Sequence, residues 1–343
     1  MKRAAATIAI AFALLAALPL AAGVNPLVLP LQGALSQQTM TRLMLTSAAR
    51  AGSRVVAVGD RGYIVYSDDN GQSWQRAATP PNLPMLTGVH FTDQKTGWAV
   101  GHDAFILKSE DQGQTWKQVF SAPSEQKPLM DIVFVDANTG FAVGTYGSFY
   151  ETTDGGKTWN PKKIITPAPV AKGKAPQEPK APDDDKHFNA IIKVSDGHLL
   201  IAGEAGTLLK SDDNGKTWAR LASPYKGSYF GAVRADDGAV LIFGMRGKIF
   251  RSSDAGLKDW TAIDNKSLAS LMGSTRLPDG AIVLAGLSGM VLVSRDQGRS
   301  FQPLPTGTIK AYAAPLLGGP NALLLMGEAG AREVPLPSAP KPQ

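Results

Sequence analysis

Six short acidic segments are the residues of this 343-residue chain whose types and spacing most suggest chemistry. Each runs close to Ser/Thr-x-Asp-x-Gly-x-Ser/Thr followed by an aromatic, in four close copies and two weaker ones, and places a carboxylate at Asp69, Asp111, Asp154, Asp213, Asp254 and Asp296. The Asp-Asp-Asn-Gly runs at 68–71 and 212–215 invite a calcium reading. Spacing argues against it, because no loop of alternating Asp/Asn ligands is closed by a Glu twelve residues after its start. The other chemistry open to these residues is that of a turn. The carboxylates accept backbone N–H groups, while Gly71, Gly113, Gly156, Gly215, Gly256 and Gly298 supply positive φ. Trp74, Trp116, Trp159, Trp218, Trp260 and Phe301 set a ring at one recurring position, suited to filling a wedge between repeated units. The boxes therefore read as structure.

Little else competes for a catalytic role. His90, His102, His187 and His198 are scattered without metal-ligand spacing, and cysteine is absent, which removes disulfides, thiol nucleophiles, thiolate sites and a lipidated cysteine. His102-Asp103 has a catalytic flavour, but sequence neighbours on a tight turn rarely point at one another. No catalytic residue, metal site or cofactor is expected. A formal charge of +6 and a pI near 9.3 suit an acidic partner or a lipid surface and are too weak to indicate nucleic acid.

The elements that position the boxes form a repeat. VVAVGDRGYIVYSDDNGQSW from Val55 recurs as GWAVGHDAFILKSEDQGQTW from Gly97, GFAVGTYGSFYETTDGGKTW from Gly140 and LLIAGEAGTLLKSDDNGKTW from Leu199. Weaker copies start at Val240 and Ile282, and a truncated one at Leu323. Gly59, Gly101, Gly144, Gly203, Gly244, Gly286 and Gly327 keep the register, and six of them begin a Gly-x-x-Gly. Short β-branched and apolar runs on either side of that turn are strands, a third strand follows the box, and an upstream segment such as LTGVHFTD from Leu86 is the fourth. Four antiparallel strands per unit of about 42 residues predict an all-β, seven-bladed β-propeller.

The last unit lacks a fourth strand, and Asn25–Gln32 is the segment available to close the ring, with a disordered leader as the alternative that Pro26 and Pro30 leave open. Residues 1–23 carry Lys2, Arg3 and an apolar run to Ala22, and read as a signal peptide, or else as an uncleaved membrane anchor. The propeller is expected over 24–335 and a Pro-rich tail over 336–343. Register glycines are spaced 42, 43, 59, 41, 42 and 41 apart, so one interval holds an insertion, rich in Pro, Lys and Ala, within 160–187. It is expected to be flexible and to emerge on the face of the Gly-x-x-Gly turns. The turn residues differ from unit to unit, as either a recognition surface or neutral drift would leave them. Candidates for partner contact are Arg61, His102, Asp103, Tyr146, Glu204 and Arg246.

SDDNGKTW from Ser211 resembles the Asp-box (BNR) repeats of sialidases and other exported propellers. With GWAVG or GFAVG before it, the longer block resembles the photosystem II stability/assembly factor family and its relatives in non-photosynthetic bacteria. That resemblance implies a non-enzymatic, seven-bladed, periplasmic or otherwise exported protein that assists a membrane protein complex. By analogy with heterotrophs, the partner would be an inner-membrane complex such as a transporter. It also implies an arginine-bearing face, of which only Arg61 and Arg246 stand on turns. No nucleic acid or small-molecule substrate is expected, and the chain is expected to be monomeric. The alternative that Asp-boxes invite is a sialidase-like glycoside hydrolase. That chemistry would need an arginine cluster for the substrate carboxylate, a Tyr-Glu nucleophile pair and an acid/base carboxylate, whereas no Phe/Tyr-Arg-Ile-Pro segment occurs near the start and the arginines are spread without matching blade positions.

Overall fold

In a computed structural model the chain is described over residues 33–164 and 185–337. Seven antiparallel sheets form in sequence order and stand around a ring. Their first strands, Leu45–Ala51, Leu86–Phe91, Leu129–Phe134, Phe188–Ser195, Tyr229–Arg234, Leu271–Arg276 and Tyr312–Leu317, pack each on the next, and the last packs on the first. This is the seven-bladed propeller that the repeat predicts, with these strands innermost. The predicted signal, segment 25–32, the middle of the insertion and the end of the tail lie outside the described residues. At the edges of these segments, Asn160–Pro161 is the outer strand of blade 3, and Leu336 is buried in the last wedge rather than in a free tail.

Seven apolar clusters hold the blades together, one per seam, and each box ring faces the preceding blade. Trp116 packs with Val56 and Tyr66, Trp218 with Phe141 and Phe149, and Phe301 with Leu241 and Phe243. The box closes as a turn. Asp213 Oδ1 accepts Thr217 N at 2.8 Å and its Oδ2 accepts the Thr217 hydroxyl at 2.6 Å, while Ser211 Oγ donates to Asp213 and accepts Gly215 N. In Asp154 the bonds from Thr158 come first among the causes that hold the carboxyl down to about 2. Gly256 differs from expectation. Box 5 carries one extra residue before its tryptophan, so Leu257 takes the positive φ of 55° and its carbonyl receives Trp260 Nε1.

Box glycines also make room for the neighbouring blade. Gly156 (φ +78°) lies against Trp98, whose ring a Cβ there would overlap. Gly156→Ala is expected to cost about 3 kcal/mol from overpacking and strained backbone. In a Trp98→Leu background the same change should cost less by at least about 1 kcal/mol in urea unfolding, and equal costs in both backgrounds would refute the contact.

Each register glycine sits beside the carbonyl that precedes the inner strand of its own blade. A Cβ on Gly59, Gly144 or Gly286 would overlap the carbonyl of Met44, Pro128 or Ser270, and the same holds in all seven blades. The next residue then donates its N–H to that carbonyl, as in Asp60 to Met44 at 3.0 Å and Thr145 to Pro128 at 2.9 Å. These glycines have extended φ near ±180°, so close approach and not handedness demands them.

The ring closes without a fourth strand in blade 7 among the described residues. Gly33–Leu35 runs along the outer strand of blade 1, and the short helix Gln37–Met40 and the residues after it pass beneath the last turn. Gly330 N donates to Leu43 O at 2.8 Å, and Met40, Leu43 and Leu45 share a cluster with Leu324 and Met326. In other blades the second turn glycine abuts the connection to the next blade, as Gly62 abuts Leu83 and Gly247 abuts Ser267. The N-terminal segment takes that place in blade 7.

Candidate functional site: the turn face and the central channel

Every inner strand carries a β-bulge at its second residue, and the bulge turns that residue toward the ring centre. Where the residue has a donor it bonds the next blade. Thr46 Oγ1 donates to Leu86 O at 2.7 Å and Asn189 Nδ2 to Tyr229 O at 2.7 Å, and Thr87 Oγ1 likewise donates to Leu129 O. Where it has none, apolar surface faces the channel. Met130, Phe230 and Met272, with Met44 and Met85 two residues before the bulge in their own blades, line a cavity of about 500 Å³. Methionine side chains adapt to differently shaped apolar partners.

Asp131 is the one titratable side chain among the described lining residues of that cavity. Its Oδ2 accepts Ile191 N of blade 4 at 2.9 Å and its Oδ1 accepts Ile132 N at 2.8 Å. Burial outweighs those bonds and pushes the carboxyl up to about 6. On the neighbouring inner strand, burial holds His90 down to about 4, so it is neutral at pH 7.

The candidate turn residues stand on one face, since each lies between the second and third strands of its blade, and the end of the insertion meets that face: Gly147 N donates to Lys186 O at 2.7 Å. In six turns the second residue has positive φ, including Arg61, Asp103, Tyr146 and Arg246, so these side chains are presented at a bend. Tyr146 is half exposed, with its ring edge-on to His187 at 5.0 Å, and Glu204 accepts His187 N at 3.2 Å. These three meet across the seam of blades 3 and 4. Arg61 and Arg246 are exposed on two non-adjacent blades and form no cluster with one another. His102 is exposed and Asp103 half-buried on the blade 2 turn, where Ala104 takes the left-handed conformation that glycine takes in the six other blades.

The sequence profile described as photosynthesis system II assembly factor YCF48 matches residues 109–289, and that of the BNR/Asp-box repeat matches residues 65–76. The chain belongs to the YCF48 family. A solved structure of YCF48 bound to D1 peptide is similar to this YCF48-family chain, with TM-score 0.67 and 18% identity over 91% of this chain and 99% of that one. YCF48 from Cyanidioschyzon merolae aligns with TM-score 0.64 and 14% identity over 85% and 95%. The GH74 xyloglucanase from Xanthomonas campestris aligns with TM-score 0.65 and 14% identity over 85% of this chain and 52% of that one. At these identities the solved structures show the shared propeller alone. No curated protein matches the sequence.

Asp131, His90 and the methionine-lined channel are functional candidates that inspection of the sequence missed. The signal available was the register. Aligning the inner strands on the register glycines puts Thr46, Thr87, Met130, Asn189, Phe230, Met272 and Ala313 at one position.

Proposed function

We propose that this YCF48-family propeller is an exported, non-catalytic assembly factor that docks a segment of a membrane protein on its turn face and over the mouth of its channel. The observation that carries the reading is family membership together with a relative bound to D1 peptide. The geometry supports it. Seven turns held by backbone bonds present variable side chains, Tyr146, His187 and Glu204 converge at one seam, and methionines line the channel beside them. A membrane complex is the partner class, and no observation favours a transporter within it.

The glycosidase reading has propeller neighbours of the GH74 class on its side. Hydrolysis of that kind uses two carboxyl groups across the scissile bond, whereas the channel presents Asp131 alone among its described lining residues. Purified protein is expected to crosslink to a membrane protein in native membranes, and Tyr146→Ala combined with Met44→Ser and Met85→Ser should cut the yield at least about tenfold, as loss of a docking hot spot does. Equal yields from parent and variant, or no crosslinked membrane protein, would defeat the docking reading. Turnover of chromogenic glycosides that vanishes in Asp131→Asn would replace it with the enzymatic one.

A further inference from the structure

A second cavity, of about 370 Å³, opens beside the turn of blade 3. Four segments apart in sequence build it: Glu125 and Lys127 on the connection from blade 2, Tyr146 to Tyr150 on the turn and third strand, Pro161 to Ile164 leaving the outer strand, and Phe188 at the start of the blade 4 inner strand. Two hydroxyls in its lining, Ser148 Oγ and Tyr150 Oη, are buried without a hydrogen-bond partner. The residues are 7% and 2% exposed. Burial, and after it the nearby Glu125 carboxylate, pushes the Tyr150 phenol up, so it remains a protonated donor, and Glu125 closes no bond of ordinary geometry to it.

The repeat shows that the phenol is a departure. At the position of Tyr150, two residues from the register glycine across the ladder, the other boxed blades carry Val65, Leu107, Leu209, Phe250 and Leu292, all buried. Apolar side chains fill that place at no polar cost, whereas a buried hydroxyl without a partner is penalised. Blade 3 thus holds an unsatisfied donor where its repeats hold none, and does so in the wall of a cavity.

The surroundings indicate what would satisfy it. Among the described lining residues three lysines, Lys127, Lys162 and Lys163, stand with one carboxylate, Glu125, which Lys127 meets at 4.0 Å, and Lys162 pairs with Glu151 behind the wall. Phe149 and Phe188 supply aromatic wall, and Tyr146 stands half exposed at the edge. Donors, lysines and aromatic walls together fit an acceptor that is negatively charged and carried on an apolar body.

We propose that this cavity binds a small organic oxyanion, a carboxylate or phosphate monoester on an aromatic or aliphatic stem, with its oxygens on the Ser148 and Tyr150 hydroxyls. The site adjoins the docking face and shares Tyr146 with it, but its ligand and its test do not depend on that reading. Phenylacetate and phenyl phosphate are the probes for the two sources of the anion, with benzyl alcohol and inorganic phosphate as controls lacking the charge or the stem. Calorimetric titration of the full chain should show at least one probe binding at least about tenfold more tightly than both controls, and the tighter probe names the anion. Tyr150→Phe with Ser148→Ala should weaken that probe at least about tenfold while leaving the ligand-free Tm unchanged or raised, because the substitutions remove unsatisfied groups. Three outcomes would each overturn the site: no heat with either probe at about 10 mM, equal binding by the double variant, or a lowered ligand-free Tm in Tyr150→Phe, which would mean that the protein itself satisfies the phenol.

Discussion

Replacing Gly330 with valine is expected to open the ring, at a cost of roughly 4 kcal/mol or more, the range reserved for failures of packing and backbone together. Gly330 has φ +72°, and a Cβ there would overlap the Met40 carbonyl, a backbone atom that cannot turn aside. The same substitution displaces the 2.8 Å bond from Gly330 N to Leu43 O and pries Met40 and Leu43 from Leu324 and Met326. No strand of the first blade pairs with the seventh among the described residues, so the two ends are joined by packing, in which Met40 and Leu43 add to the seam of Trp74 and the inner strands. Gly319, whose added Cβ would meet nothing within 4 Å, is the control. Gly319→Val should melt with the parent, whereas Gly330→Val should melt far lower and be cleaved first near its termini in limited proteolysis. A Gly330→Val protein with the parental Tm would show that closure lies elsewhere.

The second large effect concerns acid. Asp131 has its folded pKa raised to about 6, so its contribution is present in full below the unfolded value near 3.9 and is lost as pH rises through 6. His90 has its folded pKa lowered to about 4, so it costs nothing above its unfolded value near 6.5, and stability falls as pH drops from there toward 4. Between pH 6 and pH 4.5 the two slopes oppose each other at up to ~1.4 kcal/mol per pH unit each, and nearly cancel. His90→Gln should therefore gain stability relative to the parent on acidification across that window, by up to about 2 kcal/mol, and Asp131→Asn should lose a similar amount. Water in the channel beside Asp131, and in the separate cavity that His90 lines with Thr92 and Asp136, screens the two groups and makes these figures ceilings. Urea unfolding at pH 6, 5.5, 5 and 4.5 measures the difference directly, because the other histidines cancel between variant and parent. Parallel profiles for His90→Gln and the parent would rule out the compensation. Below pH 4 the boxes decide the outcome. Their carboxyls, Asp154 among them, are held low by local hydrogen bonds, so their contribution is lost as they protonate.

The architecture was legible because each blade repeats the same local problem. The box, the two turn glycines and the alternation of short apolar runs announce four strands and a register, and the strand order within each sheet follows from them. What the glycine opposes was not legible. Gly144 is constrained by Pro128, sixteen residues earlier, and only the pairing of the two strands brings that carbonyl to it. Box 5 misled for a local reason, since an inserted residue moved the left-handed position from Gly256 to Leu257. The turn candidates were read from variety and from the repeat order, which set Tyr146 and Glu204 on adjacent blades and Arg61 and Arg246 on blades that do not touch, but could not tell that His187 would join the first pair. Ser148 and Tyr150 read as ordinary strand residues. Their interest comes from the absence of a partner in a cavity assembled from segments about forty residues apart, which no local pattern encodes.

The clasp beneath the last turn also sets an order of events. Residues 40–45 leave the ribosome first, and their partners at 324–330 leave roughly 290 residues later, so the seam they share is the last to form. Until then a growing stack of blades exposes Met40, Leu43, Leu45 and Trp74 on one side and the newest unfinished blade on the other. Such an intermediate is sticky at both ends, and a second chain in the same state could supply the missing blade. The propeller thus carries a built-in hazard of swapped dimers during synthesis, one that slow elongation lengthens and that ends only when the seventh blade arrives.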